Sequence, residues 1–142
     1  MTQEMYTNKI IQRFNMQDCK IRETPCEQRL EYTENAVKMK DVKMYREAVG
    51  SLIYLTVCTR PDLSFVVSRL SQYFAEPTEE QWVTVKHVFR YLKGTADKGL
   101  SFRKNDCEKL GIQAYSDADW AADTSDRRST TGYCVSLRQT VL

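Results

Sequence analysis

The chain has no Cys-x-x-Cys pair and a single histidine, His87, so the ligand sets that hold zinc are missing. Its five cysteines, Cys19, Cys26, Cys58, Cys107 and Cys134, are odd in number and irregularly spaced. That pattern does not support a disulfide framework and points to reduced thiols in a cytosolic or nuclear setting. The N-terminus, Met-Thr-Gln-Glu-Met-Tyr, shows no basic start followed by an apolar stretch, so no secretory signal is expected. No apolar run approaches the roughly 18 residues of a membrane span, the longest being broken by Thr56, Thr59 and Arg60. A soluble chain without a membrane partner is expected. Charge of either sign is not in excess: 21 Lys and Arg against 19 Asp and Glu leave a formal +2, so any nucleic-acid affinity has to come from local patches.

What is present is ordinary globular composition, 42% apolar and 28% charged over 142 residues, enough for one domain or for pieces of two neighbours. Residues 2 to 15 read as an amphipathic helix with Tyr6, Ile10, Ile11 and Phe14 on one face and Thr2 available as N-cap. Residues 16 to 43 lose periodicity around Pro25 and read as a long, partly mobile connection. From Met44 to Cys58 the helical pattern returns through Tyr45, Val49, Leu52, Ile53 and Thr56, with Gly50 and Ser51 expected to admit a close neighbour. Arg60-Pro61 ends that helix and opens the next, in which Leu63, Val66, Val67, Leu70 and Phe74 form a core stripe. Thr78-Glu-Glu-Gln81 is a capping box. It starts a helix that buries Trp82, Val85, Phe89 and Leu92 and that Gly94 is placed to stop.

After this helix the period changes from helical to alternating. Gly99 to Arg103 and Leu110 to Tyr115 read as strands, the second leading into Asp117, and residues 131 to 138 read as a third. Helices first and strands last predict an α+β protein, or a helical unit joined to the beginning of a sheet domain. A small sheet of this kind leaves open edges, so a protein partner added through an edge is a further expectation.

Five stretches carry a resemblance. They are Tyr45-Arg-Glu-Ala-Val-Gly-Ser-Leu-Ile-Tyr-Leu55, Thr59-Arg-Pro-Asp-Leu63, Trp82 with His87 through Arg90-Tyr-Leu-Lys-Gly-Thr95, Tyr115-Ser-Asp-Ala-Asp-Trp-Ala121, and Arg128-Ser-Thr-Thr-Gly-Tyr133. Together, in this order, they resemble the Pol polyprotein of copia-type retrotransposons. Arg13 to Lys20 and Thr24-Pro25 are similar to the family's preceding segment. The resemblance implies that residues 1–98 correspond to the helical thumb and connection after the reverse transcriptase palm. It likewise implies that residues 99–142 correspond to the first strands of an incomplete ribonuclease H-like sheet. The family performs RNA-directed DNA synthesis and cleavage of RNA·DNA hybrids. Its Tyr-x-Asp-Asp polymerase motif does not occur in this sequence, and Ala122 stands where the family usually has glycine.

Asp117 matches the first catalytic aspartate of the family's ribonuclease H, and it would ligate Mg²⁺ in a complete site. That chemistry needs several carboxylates to hold two ions about the scissile phosphate. The family's later acids belong to a segment that would follow Leu142, and Asp119 and Asp123 lie past the strand end, so the chain alone is expected to be non-catalytic and without a cofactor. Lys86, Arg90 and Lys93 fall at i, i+4, i+7 on one helix, followed by Lys98, Arg103 and Lys104. Such a stripe suits contact with the backbone of a duplex or an RNA·DNA hybrid, and it equally describes a solvated helix face. Arg127 and Arg128 are candidates for the same contact near Asp117. His87 lies off the apolar stripe and has no partner spacing for catalysis. Trp82 is assigned to the core and Trp120 to packing beneath the loop.

Short proteins resembling copia fragments also carry the name of secreted RxLR effectors of plant pathogens. The nearest match here, Arg90-Tyr-Leu-Lys93, departs from Arg-x-Leu-Arg at its last residue. The alternative reading is therefore an interaction protein recruited from such a fragment, in one form secreted into a host cell.

Overall fold

The computed structural model describes residues 1–27, 30–33, 35–102, 112–118, 131–137 and 140–141. The chain is α+β and divides into two compact units, Met1–Gly99 and Leu100–Leu142.

The first unit is helical. Helix α1 spans Glu4–Arg13 and buries Thr7, Ile10 and Ile11; removing the two isoleucines from water contributes about 1.5–3 kcal/mol each. Tyr6 and Phe14 lie half-buried at the ends of the same face. Thr2 does not cap this helix. Gln3 occupies the N-cap, and Thr2 is instead drawn into an isolated antiparallel bridge with Gly99. Helix α2 runs Val42–Cys58, two residues earlier than the periodicity indicates, because the Asp41 carboxylate accepts from the Met44 N–H at 2.8 Å and caps it. Its Tyr45, Ala48, Val49, Leu52 and Leu55 are buried. Gly50 admits no close neighbour: a Cβ there would meet nothing within 4 Å.

Pro61–Leu63 forms a 3₁₀ turn leading into α3, Ser64–Ser71. Leu63, Val66, Val67 and Leu70 are buried and Phe74 packs half-buried against them. Helix α4, Glu79–Gly94, begins at the box foreseen in the sequence, with the Gln81 side chain accepting from the Thr78 N–H at 2.5 Å. Val85, Val88, Phe89 and Leu92 are fully buried. Phe14 stacks on Phe89 at 5.1 Å and meets Trp82 edge-on at 6.4 Å, which seats α1 on α4.

Gly94 is the last helical residue rather than a left-handed stop, and Thr95 takes the C-cap. The glycine serves close approach: a Cβ there would lie 3.3 Å from Ile21 Cβ. Ile21 belongs to the segment between α1 and α2, which has no helix or regular strand among its described residues. Its described residues are fastened along α4 as a strap.

The second unit is an antiparallel sheet in the order β1 (Ile112–Ala118), β2 (Thr131–Leu137), β3 (Thr140–Val141). The register pairs Tyr115 with Cys134 and Asp117 with Gly132. Ile112, Tyr115 and Tyr133 are exposed at 74%, 62% and 82%, so within this unit they find no covering layer among the described residues. The strand expected at 99–103 does not form over its described part: Gly99 makes only its single bridge to Thr2, and residues 100–102 carry no ladder.

Candidate nucleic-acid interface

Helix α4 presents a polar face whose spacing, Glu80, Thr84, His87, Arg90 and Lys93, repeats about every turn. Each of these side chains meets the strap, which passes them in reverse order. Lys93 Nζ donates to the Cys19 carbonyl at 2.7 Å and Arg90 Nε to the Lys20 carbonyl at 2.7 Å. The Arg22 N–H returns a bond to the Arg90 carbonyl at 3.3 Å. His87 Nε2 lies 3.0 Å from the Thr24 carbonyl; a carbonyl can only accept, so Nε2 carries the proton of this bond. His87 Nδ1 faces Glu27 Oε1 at 3.6 Å. The Tyr32 hydroxyl donates to Thr84 Oγ1 at 3.3 Å.

At the other end, Thr33 donates its N–H and its hydroxyl to the two oxygens of Glu80, both at 2.8 Å. Those two donors hold the Glu80 carboxyl below the usual carboxylate range, the N–H contributing most. Beyond them Met39 N–H donates to the Pro77 carbonyl and Glu79 N–H to the Val37 carbonyl, each at 2.9 Å. Among its described residues the strap forms no helix or regular strand, and several of its carbonyls and amides are satisfied on helix side chains and on the turn that opens α4.

Two members of the expected basic stripe are therefore partly committed: Arg90 and Lys93 each give a donor to a strap carbonyl. The third, Lys86, lies half-buried with Nζ 6.0 Å from the Trp82 ring centroid. His87 is buried beneath the strap, where sequence spacing gave it no partner. Arg127 and Arg128, like Asp119, Trp120, Asp123, Arg103 and Lys104, lie outside the described residues.

Between the strap and α4 lies an open cavity of about 470 Å³. Lys20, Arg22, Lys86 and Arg90 line it, with Glu27 as the one carboxylate among the described lining residues. Among the described residues no acid pairs with any of these four cations. Lys20 and Arg22 escaped the sequence reading because they lie in a stretch with no periodicity. Their relation to Lys86 and Arg90 exists only after the strap folds back.

The Thr59-Arg-Pro-Asp motif resolves into a buried polar junction. Arg60, only 2% exposed, donates from Nε and Nη2 to Asp62 at 3.0 and 2.8 Å, and from Nη1 and Nη2 to the Thr95 carbonyl and hydroxyl at 2.9 and 2.8 Å. The Tyr91 hydroxyl donates to Asp62 at 2.9 Å, while its ring lies 5.4 Å from the guanidinium carbon. Burial by itself would raise the Asp62 carboxyl, but the hydrogen bonds and charge of Arg60, with the Tyr91 hydroxyl, outweigh it and hold Asp62 below the usual range. All these donors are spent inside the protein, which makes the motif a lock between the start of α3 and the end of α4.

Asp117 sits exposed near the end of β1 opposite Gly132. Among the described residues no three metal-ligating side chains gather in one place, so Asp117 offers a single carboxylate where Mg²⁺ chemistry calls for several. Among the described residues, too, no helix is long and apolar enough to cross a membrane.

A strap-bound helical unit followed by an antiparallel ladder with an aspartate at its end is the arrangement to be placed among known proteins. No family model matches the chain, and no solved structure matches it. It is 46% identical over 138 residues to the retrovirus-related Pol polyprotein from transposon RE2 of Arabidopsis thaliana, a match that covers 96% of this chain and 9% of that protein. It is 42% identical over 137 residues to an uncharacterized mitochondrial protein of the same plant, covering 96% of this chain and 56% of that one. Over 99 residues it is 48% identical to secreted RxLR effector protein 161 of Plasmopara viticola, covering 70% of this chain and 68% of that protein. The chain belongs to the copia-type retrotransposon Pol family, and it spans about a tenth of the length of the Pol polyprotein it matches.

Proposed function

We propose that this chain is the part of a copia-type Pol polyprotein in which a helical thumb and connection region passes into a ribonuclease H-like domain. In that reading residues 1–98 ride on the backbone of a duplex or RNA·DNA hybrid during RNA-directed DNA synthesis, and residues 99–142 contribute the first strands of the nuclease sheet. The observation that carries it is the near full-length match to a Pol polyprotein. The cations beside α4, which have no acid partner among the described residues, supply a surface for phosphates, and Lys86 is the stripe residue that no described strap carbonyl occupies.

Binding to a hybrid duplex is expected to weaken steeply with salt, as counterion release requires, and to fall further in Lys86→Glu. Absence of binding at low salt overturns the duplex contact. Asp117 stands at the family's first catalytic position, where Mg²⁺ would be held together with carboxylates from other elements. We expect the 142 residues by themselves not to cleave a hybrid; Mg²⁺-dependent cleavage abolished by Asp117→Asn would refute that.

A second reading, a recruited interaction protein, is favoured by the relative that bears an effector's name and by the outer edge of β1, which pairs with no strand among the described residues. An exposed edge adds strands from other chains readily. The Arg90-Tyr-Leu-Lys93 segment gives this reading no support, because Tyr91 and Leu92 are buried within α4. Entry of the tagged chain into host cells is the result that would decide for the secreted form, and retention in the producing cell would decide against it.

A further inference from the structure

We infer that the cavity between the strap and α4 is a binding site for an organic phosphate, an oxyanion joined to a flat or apolar ring. This deepens the duplex-contact reading and rests on it at Lys86 and Arg90, but it moves the recognition from a helix stripe to a pocket. Three observations support it. The cavity, about 470 Å³, has the volume of a small-ligand site. Among the described residues its lining brings four cations against one carboxylate, and Glu27 already faces His87 at 3.6 Å, leaving Lys20, Arg22, Lys86 and Arg90 without a described acid partner. Met16, Leu30 and Val83 line the same space and provide apolar surface for a ring.

The exposure of the cations defines the roles. Lys20 and Arg22 on the strap are exposed, whereas Lys86 and Arg90 on α4 are half-buried. Arg90 gives only Nε to the strap, so its two terminal amino groups stay available to an oxyanion, the geometry in which a guanidinium binds phosphate best. Around Lys20 and Arg22 the strap's bonds to α4 run through the backbone, by the carbonyls of Cys19, Lys20 and Thr24 and the Arg22 N–H, and these leave the Lys20 and Arg22 side chains able to turn toward the ligand. A phosphate would then bridge strap and helix, and ligand binding would tighten the strap.

The phosphate can belong to a free mononucleotide or to the end of a nucleic-acid strand, and the two are separable. Isothermal titration of the full chain with AMP is expected to show one saturable site, with adenosine giving none. Lys20→Gln with Arg22→Gln, both on exposed side chains outside the core, is expected to weaken AMP on the order of tenfold, as loss of charge-assisted hydrogen bonds does. Lys43→Gln, on α2 and not in the cavity lining, should leave the affinity unchanged. No saturable AMP binding overturns the inference. So does equal binding of adenosine, or equal weakening by Lys43→Gln, which would mark diffuse attraction.

A hybrid duplex with 5′-phosphates that displaces AMP assigns the site to a strand end; binding of AMP undisturbed by the duplex assigns it to the free nucleotide. Duplex affinity that ignores Lys20 and Arg22, with no AMP site, removes the pocket and leaves the duplex contact standing. AMP binding without any duplex affinity does the reverse.

Discussion

Arg60 and Asp62, separated only by Pro61, face each other as a two-point ion pair at 3.0 and 2.8 Å, with the guanidinium side chain 3% exposed and the carboxylate side chain 39% exposed. The proline favours this geometry, since it holds its own φ near the value a turn needs and keeps Arg60 out of helical geometry before it, at φ −126° and ψ 62°. Removing the carboxylate strands a buried cation. Asp62→Ala should lower stability by about 3 kcal/mol, the low end for a broken buried pair because Asp62 keeps contact with water. A shift of the urea midpoint measured by helix circular dichroism checks this.

The same pair sets a pH dependence. The folded Asp62 carboxyl lies below its ordinary value, so the unfolded chain binds more protons as acid is added. Its contribution is complete above the ordinary aspartate range, about pH 4, and is lost as pH falls through the lower folded value. A series of urea midpoints taken down through this window should flatten in Asp62→Asn relative to the parent chain.

Gly50 lies mid-helix in α2 with open space around it and without a positive φ. Gly50→Ala should stabilise the chain by about 0.5–1 kcal/mol, by reducing the freedom lost on folding. A lower thermal midpoint in the variant would show that the position needs its glycine.

The strap should answer to α4 side chains one bond at a time. Thr33 N–H is held by Glu80, whereas Met39 N–H is held by the Pro77 carbonyl. Glu80→Ala is expected to speed hydrogen exchange at Thr33 and leave Met39 protected. Equal acceleration at both sites would mean that the strap opens as one piece.

Phe89 is fully buried and stacks on Phe14. Phe89→Ala should cost about 3–5 kcal/mol. Tyr45→Phe, which removes only the bond from a buried hydroxyl to the Leu70 carbonyl at 2.8 Å, should cost about 1 kcal/mol. The comparison separates packing from hydrogen bonding in one core.

The helices were legible because their signals are local. The capping box at Thr78, the break at Arg60-Pro61 and the stripe from Leu63 to Leu70 each act within a few residues, where backbone sterics and burial of one face suffice. The strand pair leading to Asp117 was legible for the same reason, through alternation. Thr2 failed as a cap because a distant residue, Gly99, competed for its backbone. Gly94 was read as a stop when its smallness serves Ile21, more than seventy positions earlier.

By itself, then, the sequence determined the family, the helical order, the core stripes and the position of Asp117, all properties of neighbouring residues. Only the tertiary structure decided what the polar residues do. It turned Thr59-Arg-Pro-Asp into a buried lock, committed Arg90 and Lys93 to the strap, buried His87 and placed Lys20 and Arg22 across a cavity from Lys86. A polar side chain takes its meaning from the partner that remains once water is excluded, and here that partner is usually dozens of residues away in the chain.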